Sequence, residues 1–224
     1  MYKLVYIDEQ PEFIRVMEGA VYASEHIPGA TVEGYVPLST IEETLALIEE
    51  ARPDALISDF RLNEHMEAIG YTGVDLIAAF TRSRPDFPCF LTTGYPRSAI
   101  ENAIRGMDVN AIYSKTESLA VDDASDDEGG AGPFLLRVRR KIDAYKDEIQ
   151  SAENRILELR EKLNGGGLKS DEAKELFDLD ARVEYLLGAN FSIPSDLKAR
   201  AIDPLLGFLN DAREKIASIE KKYR

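Results

Sequence analysis

Four short apolar runs in this chain each end on residues that can do chemistry. LVYI (4–7) runs into Asp8 and Glu9, ALIS (55–58) into Asp59, CFL (89–91) into Thr92, Thr93 and Gly94, and AIY (111–113) into Ser114 and Lys115. Three carboxylates brought within a few ångströms repel one another unless one is protonated or a cation lies among them. A hard divalent ion with oxygen ligands answers that need, which points to Mg²⁺. Acids, a metal, a hydroxyl and a lysine together are the parts of a phosphoryl site, with Asp59 placed to attack and Lys115 to offset charge. A plainer reading makes Asp59 an ordinary acid at the surface end of a strand. Whether the four run ends meet decides between the two.

The surrounding pattern indicates that they do. Strand-like segments at 3–7, 30–36, 54–58, 88–93 and 111–114 alternate with helical ones near 11–24, 40–51, 73–82 and 97–105. The helix at 40–51 opens with Thr40 and Glu43 in capping-box spacing. Such alternation implies an α/β fold with a five-stranded parallel sheet covered on both faces, of the doubly wound, flavodoxin-like kind. The C-terminal ends of parallel strands share one edge. If the first and third strands are neighbours, Asp8, Glu9 and Asp59 converge there, joined by a threonine and Lys115.

Beyond this region the character changes. VDDASDDEGGAGP (121–133) is acidic, glycine-rich and aperiodic, and reads as a solvated loop. From Phe134, apolar residues recur at Leu135, Val138, Ile142, Tyr145, Ile149, Ala152, Ile156, Leu159 and Leu163, in unbroken steps of three and four. That is a heptad seam on one long helix, stopped by NGGG (164–167). A second helix near 171–188 carries Leu176, Leu179, Val183 and Leu186, and a third carries Ile202, Leu205, Leu209, Ala212, Ile216, Ile219 and Tyr223. The expected organisation is therefore a domain at 1–120, a loop at 121–133, and an all-α bundle or coiled-coil region at 134–224. A narrow apolar seam requires partners, from this chain or from a second copy.

LVYIDEQP, ALISDFRL, CFLTTGY and AIYSKTE, in that order, resemble the signature segments of the response-regulator receiver domain of two-component signalling. The 22-residue step from Thr93 to Lys115 is the family's usual one. FLLRVRRKI is similar to the start of the family's fifth helix, which the long helix would continue. The resemblance implies that Asp59 accepts a phosphoryl group from a sensor histidine kinase or phosphotransfer protein. It implies that Asp8, Glu9 and Asp59, with the backbone carbonyl of Arg61, hold Mg²⁺. Thr93, directly before Gly94, matches the switch hydroxyl, with Thr92 as the alternative, and Lys115 matches the phosphoryl-pairing lysine. The family is a signalling switch, not an enzyme, and its output here would pass through the C-terminal helices to a homodimer or a protein effector. The chain departs from the pattern at several places, among them an acidic insertion before the fifth helix and Glu9 where an aspartate is commoner. Thr116 stands where a proline is usual, Ile112 stands where an aromatic is usual with Tyr113 one step away, and the loop after Asp59 is long. These departures leave room for a constitutive adaptor whose receiver-like domain only docks.

Charge narrows the partners. Residues 1–133 hold 9 Lys/Arg against 24 Asp/Glu, a net of −15, while residues 134–224 hold 18 against 17, a net of +1. Neither segment offers the clustered positive surface that nucleic acid requires, which argues against DNA. An aspartyl phosphatase of the haloacid-dehalogenase type would need a second aspartate two residues after the nucleophile, where Arg61 stands. His26 and His65 are the only histidines, so residues 134–224 contain none for histidine phosphotransfer. No run approaches a membrane span, the first residues lack signal-peptide features, and the lone Cys89 allows no intrachain disulfide, so a cytoplasmic location is expected.

Overall fold

The computed structural model describes residues 1–66, 68–94, 111–119, 131–187 and 202. Its elements are β1 (Lys3–Ile7), α1 (Pro11–Ala23), β2 (Thr31–Tyr35), α2 (Ile41–Ala51), β3 (Ala55–Asp59), α3 (Gly73–Ser83), β4 (Cys89–Thr93), β5 (Ile112–Ser114), α4 (Lys115–Leu119), α5 (Ala131–Asn164) and α6 (Ser170–Leu187). The five strands form one parallel sheet in the order β2-β1-β3-β4-β5, the doubly wound flavodoxin-like arrangement. The helix expected near 97–105, most of the acidic loop and the third C-terminal helix lie outside the described residues, apart from Ile202.

Strand periodicity sorts the core. In β1, Leu4 and Tyr6 join one buried cluster with Met17 and Val21 of α1, while Val5 and Ile7 join the opposite one with Leu76 and Phe80 of α3. A sheet buried on both faces needs such near-continuous apolar strands. The helices are placed by local signals. Pro11 begins α1, the capping box of Thr40 and Glu43 begins α2, and a second box, Thr72 with Asp75, begins α3. Gly34 lies so close to α1 that a Cβ there would stand 2.0 Å from Ile14 Cγ2.

The chain divides into two compact units, Met1–Tyr145 and Lys146–Arg224, and the division falls inside α5. This differs from a boundary at the acidic loop, and residues 131–133, read as loop, belong to the helix. The physical reason is that one periodic stripe serves two cores. Phe134, Leu135, Val138 and Ile142 are buried beneath the sheet with Phe90 and Tyr113. Ala152, Ile156, Leu159 and Leu163 are buried instead with Leu176 and Val183 of α6. In the second unit the two helices also share ion pairs, Arg155 with Glu175, Lys162 with Glu172 and Arg182 with Glu148. Helix α5 stops where Gly166 turns left-handed (φ 73°) and the amide of Gly167 returns to the Lys162 carbonyl at 3.0 Å, a Schellman ending that glycine permits.

Phe134 tests the role of the first turns of α5. Its ring meets Tyr113 edge-on at 4.8 Å and Phe90 at 6.0 Å. Phe134→Ala is expected to destabilise the first unit by about 3–5 kcal/mol, read from urea denaturation; a loss below about 1 kcal/mol would place α5 outside that core.

Candidate functional site

The order β2-β1-β3 means that successive crossovers leave β1 on opposite sides, so the ends of β1 and β3 flank the switch point of the sheet. Ligands of open α/β sheets bind in the crevice at that point. Asp8 follows β1 and Asp59 closes β3, both buried. The sequence reading ended this strand one residue earlier; Asp59 itself pairs in register with Thr92 of β4.

Lys115 ties the two acids together. Its Nζ lies 2.8 Å from Asp8 Oδ2 and 2.8 Å from Asp59 Oδ1, and it sits 4.0 Å from the centre of the Phe13 ring of α1, a cation–π contact. The lysine is aimed by the junction between β5 and α4. Ser114 Oγ accepts the Thr116 amide at 3.2 Å, and its carbonyl accepts the Ser118 hydroxyl at 2.9 Å. The strand therefore passes directly into a helix, with Thr116 in the place where a proline is usual.

The remaining carboxylate oxygens are held by local backbone. Asp59 Oδ2 accepts the Arg61 amide at 2.6 Å, and Asp8 Oδ1 accepts the Gln10 amide at 3.0 Å. The Arg61 carbonyl, expected as a metal ligand, accepts the Glu64 amide at 3.3 Å. Gly73 presses against the strand end: a Cβ there would stand 1.9 Å from the Asp59 carbonyl oxygen, so the start of α3 tolerates no side chain. Thr93 is buried at the end of β4 and pairs in register with Ser114. Thr92 lies deeper, with Oγ1 3.4 Å from the Tyr6 hydroxyl and 3.5 Å from the Ser58 carbonyl.

Glu9 completes the acid group and is its least settled member. Its Oε1 accepts Gln10 Nε2 at 3.4 Å, while Oε2 is buried without a hydrogen-bond partner. Burial raises its pKa, and the charges of Asp59 and Asp8 add to the rise. Burial likewise raises Asp59, against the opposing pull of Lys115. Burial alone would lower the Lys115 pKa, but hydrogen bonds to Asp59 and Asp8 outweigh it and raise the ammonium above its ordinary value. Among the described residues no three carboxylate, imidazole or thiol side chains form a ready metal cage, and the Lys115 ammonium lies against both Asp8 and Asp59. The donor set still fits a hard divalent ion: it is all oxygen, it carries more negative than positive charge, and one buried carboxylate oxygen is orphaned.

Three residues were not legible as site components. Tyr6 reads as part of an apolar run, Phe13 as a helix face, and Gly73 as the start of a helix. Tyr113, noted beside the position where an aromatic is usual, points to the other face from Ile112 and packs under α5. It is a core residue, while Ile112 packs at the edge of the opposite cluster.

The Glu9 shift gives a pH test. The folded protein binds this proton more tightly than the unfolded chain, so the group favours folding at low pH and loses that contribution as pH rises through its folded pKa. Without divalent ions, Glu9→Gln should therefore melt higher than the wild type at pH 7. The gap should close as pH falls below the ordinary glutamate value of 4.5. A wild type that melts higher at pH 7 would contradict the burial of this carboxylate.

No family model matches the chain, and no curated protein matches it. Solved structures do. A response regulator receiver domain protein from Clostridium thermocellum is similar at 16% identity, over 65% of this chain and 98% of the other, with a TM-score of 0.44. The anti-anti-sigma factor PhyR from Bartonella quintana is similar at 14% identity, over 68% of this chain and 51% of the other, with a TM-score of 0.44. The RcsB response regulator of Salmonella typhimurium, studied for DNA interaction, is similar at 16% identity, over 89% of this chain and 98% of the other, with a TM-score of 0.37.

Proposed function

We propose that this chain is a phospho-accepting switch of the receiver type, with Asp59 as the acceptor. The observation that carries the reading is the ion bridge at the sheet edge, where one lysine spans the carboxylates that follow β1 and end β3. In the reaction, an Asp59 carboxylate oxygen attacks the phosphorus of a phosphohistidine. The phosphorus–nitrogen bond breaks with its electron pair going to the imidazole, which leaves neutral where its other nitrogen already carries a proton and otherwise takes one from water to become neutral. Lys115, released from Asp8, pairs with the new phosphoryl oxygens, and the Thr93 hydroxyl donates to them from β4. Asp8, Glu9, Asp59 and the Arg61 carbonyl are the groups that would hold Mg²⁺, which when bound offsets the charge of the phosphoryl oxygens.

The donor would be a sensor histidine kinase or a phosphotransfer protein, and the output would pass through the helical second unit to a second copy or a protein effector. A second reading, a constitutive adaptor, draws on Tyr113. With that ring packed in the core and Ile112 at the sheet edge, no aromatic stands at the position the family uses to report its state. Among the described residues no helix is long and apolar enough to cross a membrane.

Incubation with acetyl phosphate separates the two readings. The switch reading expects one phosphoryl group gained per chain by mass spectrometry, abolished by Asp59→Asn and by EDTA. Lys115→Ala should slow the gain by about 10²–10³-fold, the usual effect of removing one charge-stabilising donor. Wild-type protein that stays unmodified, or Asp59→Asn that is modified as well as the wild type, would favour the adaptor.

A further inference from the structure

Tyr6 is the one residue of the β1 run whose chemistry the phospho-acceptor reading leaves unused. Strand periodicity directs it into the cluster beneath α1 and α5, where it is fully buried. A phenol in that position needs a partner for its hydroxyl. It donates to Asp8 Oδ2 at 2.5 Å and lies 3.4 Å from Thr92 Oγ1. Burial, with the charge of Asp8 adding, pushes the phenol's pKa far up, so the proton stays on the tyrosine and the bond has a fixed direction. Thr92 has one proton for two acceptors, the Tyr6 oxygen at 3.4 Å and the Ser58 carbonyl at 3.5 Å. Both contacts are long, so Thr92 ties the Tyr6 hydroxyl only weakly and the bond to Asp8 is its main one.

The donors to Asp8 are the Gln10 amide, Lys115 and Tyr6. The first is fixed backbone. Lys115 is shared with Asp59, and the phospho-acceptor reading removes it to the phosphoryl group. Among the described residues, Tyr6 is then the side-chain donor that stays. We propose that Tyr6 is a positioning residue for the cation side of the site, its hydroxyl holding the Asp8 carboxylate in the orientation that serves a divalent ion. The proposal rests on the phospho-acceptor reading, in which Asp8 is a cation ligand.

Tyr6→Phe keeps the ring in the core and removes only the hydroxyl. Full-length wild type and variant, with matched circular dichroism, are titrated with Mg²⁺ by calorimetry and by tyrosine ultraviolet difference absorbance. Loss of a hydrogen bond to a metal-binding carboxylate is expected to weaken Mg²⁺ affinity about tenfold or more. The Mg²⁺-induced tyrosine band of the wild type should vanish in the variant. Wild-type binding with unchanged affinity in Tyr6→Phe overturns the proposal and leaves the phospho-acceptor reading intact. Wild type that binds no Mg²⁺ overturns that reading and the proposal with it. If Tyr6→Phe does not fold, the wild-type band decides: Mg²⁺ binding without a tyrosine signal overturns the proposal.

Discussion

One ammonium stands against three buried carboxylates at the open edge of the sheet, and the rest of the site follows from that imbalance. Removing charges from water is costly, and a buried ion pair is tolerated only when its remaining lone pairs find donors. Asp8 and Asp59 meet that condition through Lys115, through backbone amides two residues on, and, for Asp8, through a buried phenol. Glu9 does not meet it, since one of its oxygens is buried and orphaned. An arrangement with surplus negative charge and a partly unsatisfied acid is poor economy for stability alone. It is well suited to receiving a cation and a phosphoryl group.

The fold supplies this arrangement through ordinary constraints. The switch point beside β1 places two strand ends side by side, and period-two alternation sends their preceding residues into two separate cores. Glycine at 73 lets α3 begin against the Asp59 carbonyl, while Ser114 turns β5 directly into a helix that starts with Lys115. Each device is local, yet together they bring residues 8, 59 and 115 within hydrogen-bonding reach. In the second unit a different principle operates, with an apolar stripe on two helices and ion pairs at its margins. Exposed pairs of that kind contribute little, so the buried leucines carry the packing.

The sheet was legible in the sequence because strand ends in a parallel fold coincide with abrupt changes from apolar to reactive residues. LVYI ending in Asp8 and ALIS ending in Asp59 announce both a strand and a site. Capping chemistry at Thr40 was legible for the same reason, being local. What escaped was information held in the third dimension. The heptad seam of α5 is continuous in sequence, and its steps alone do not mark where Ile142 leaves one core and Ile156 enters another, although the resemblance of FLLRVRRKI to a receiver's fifth helix already joins the first turns to the sheet. Tyr6 looks apolar because the apolar run itself does not show that its hydroxyl reaches back to Asp8 and towards Thr92 of β4. Tyr113 stands one step from the position where an aromatic is usual, and only strand alternation and the ring of Phe134 show that it belongs to the core.

The balance of charge around Lys115 is tested most directly by the unfolding free energy of Lys115→Met, compared with the wild type in EDTA and again in Mg²⁺. Removing the bridging cation should leave uncompensated buried carboxylates, destabilising the variant in EDTA by about 3 kcal/mol, and Mg²⁺ should recover much of that loss. A variant as stable as the wild type in EDTA, with no response to Mg²⁺, would contradict the central role assigned to this bridge.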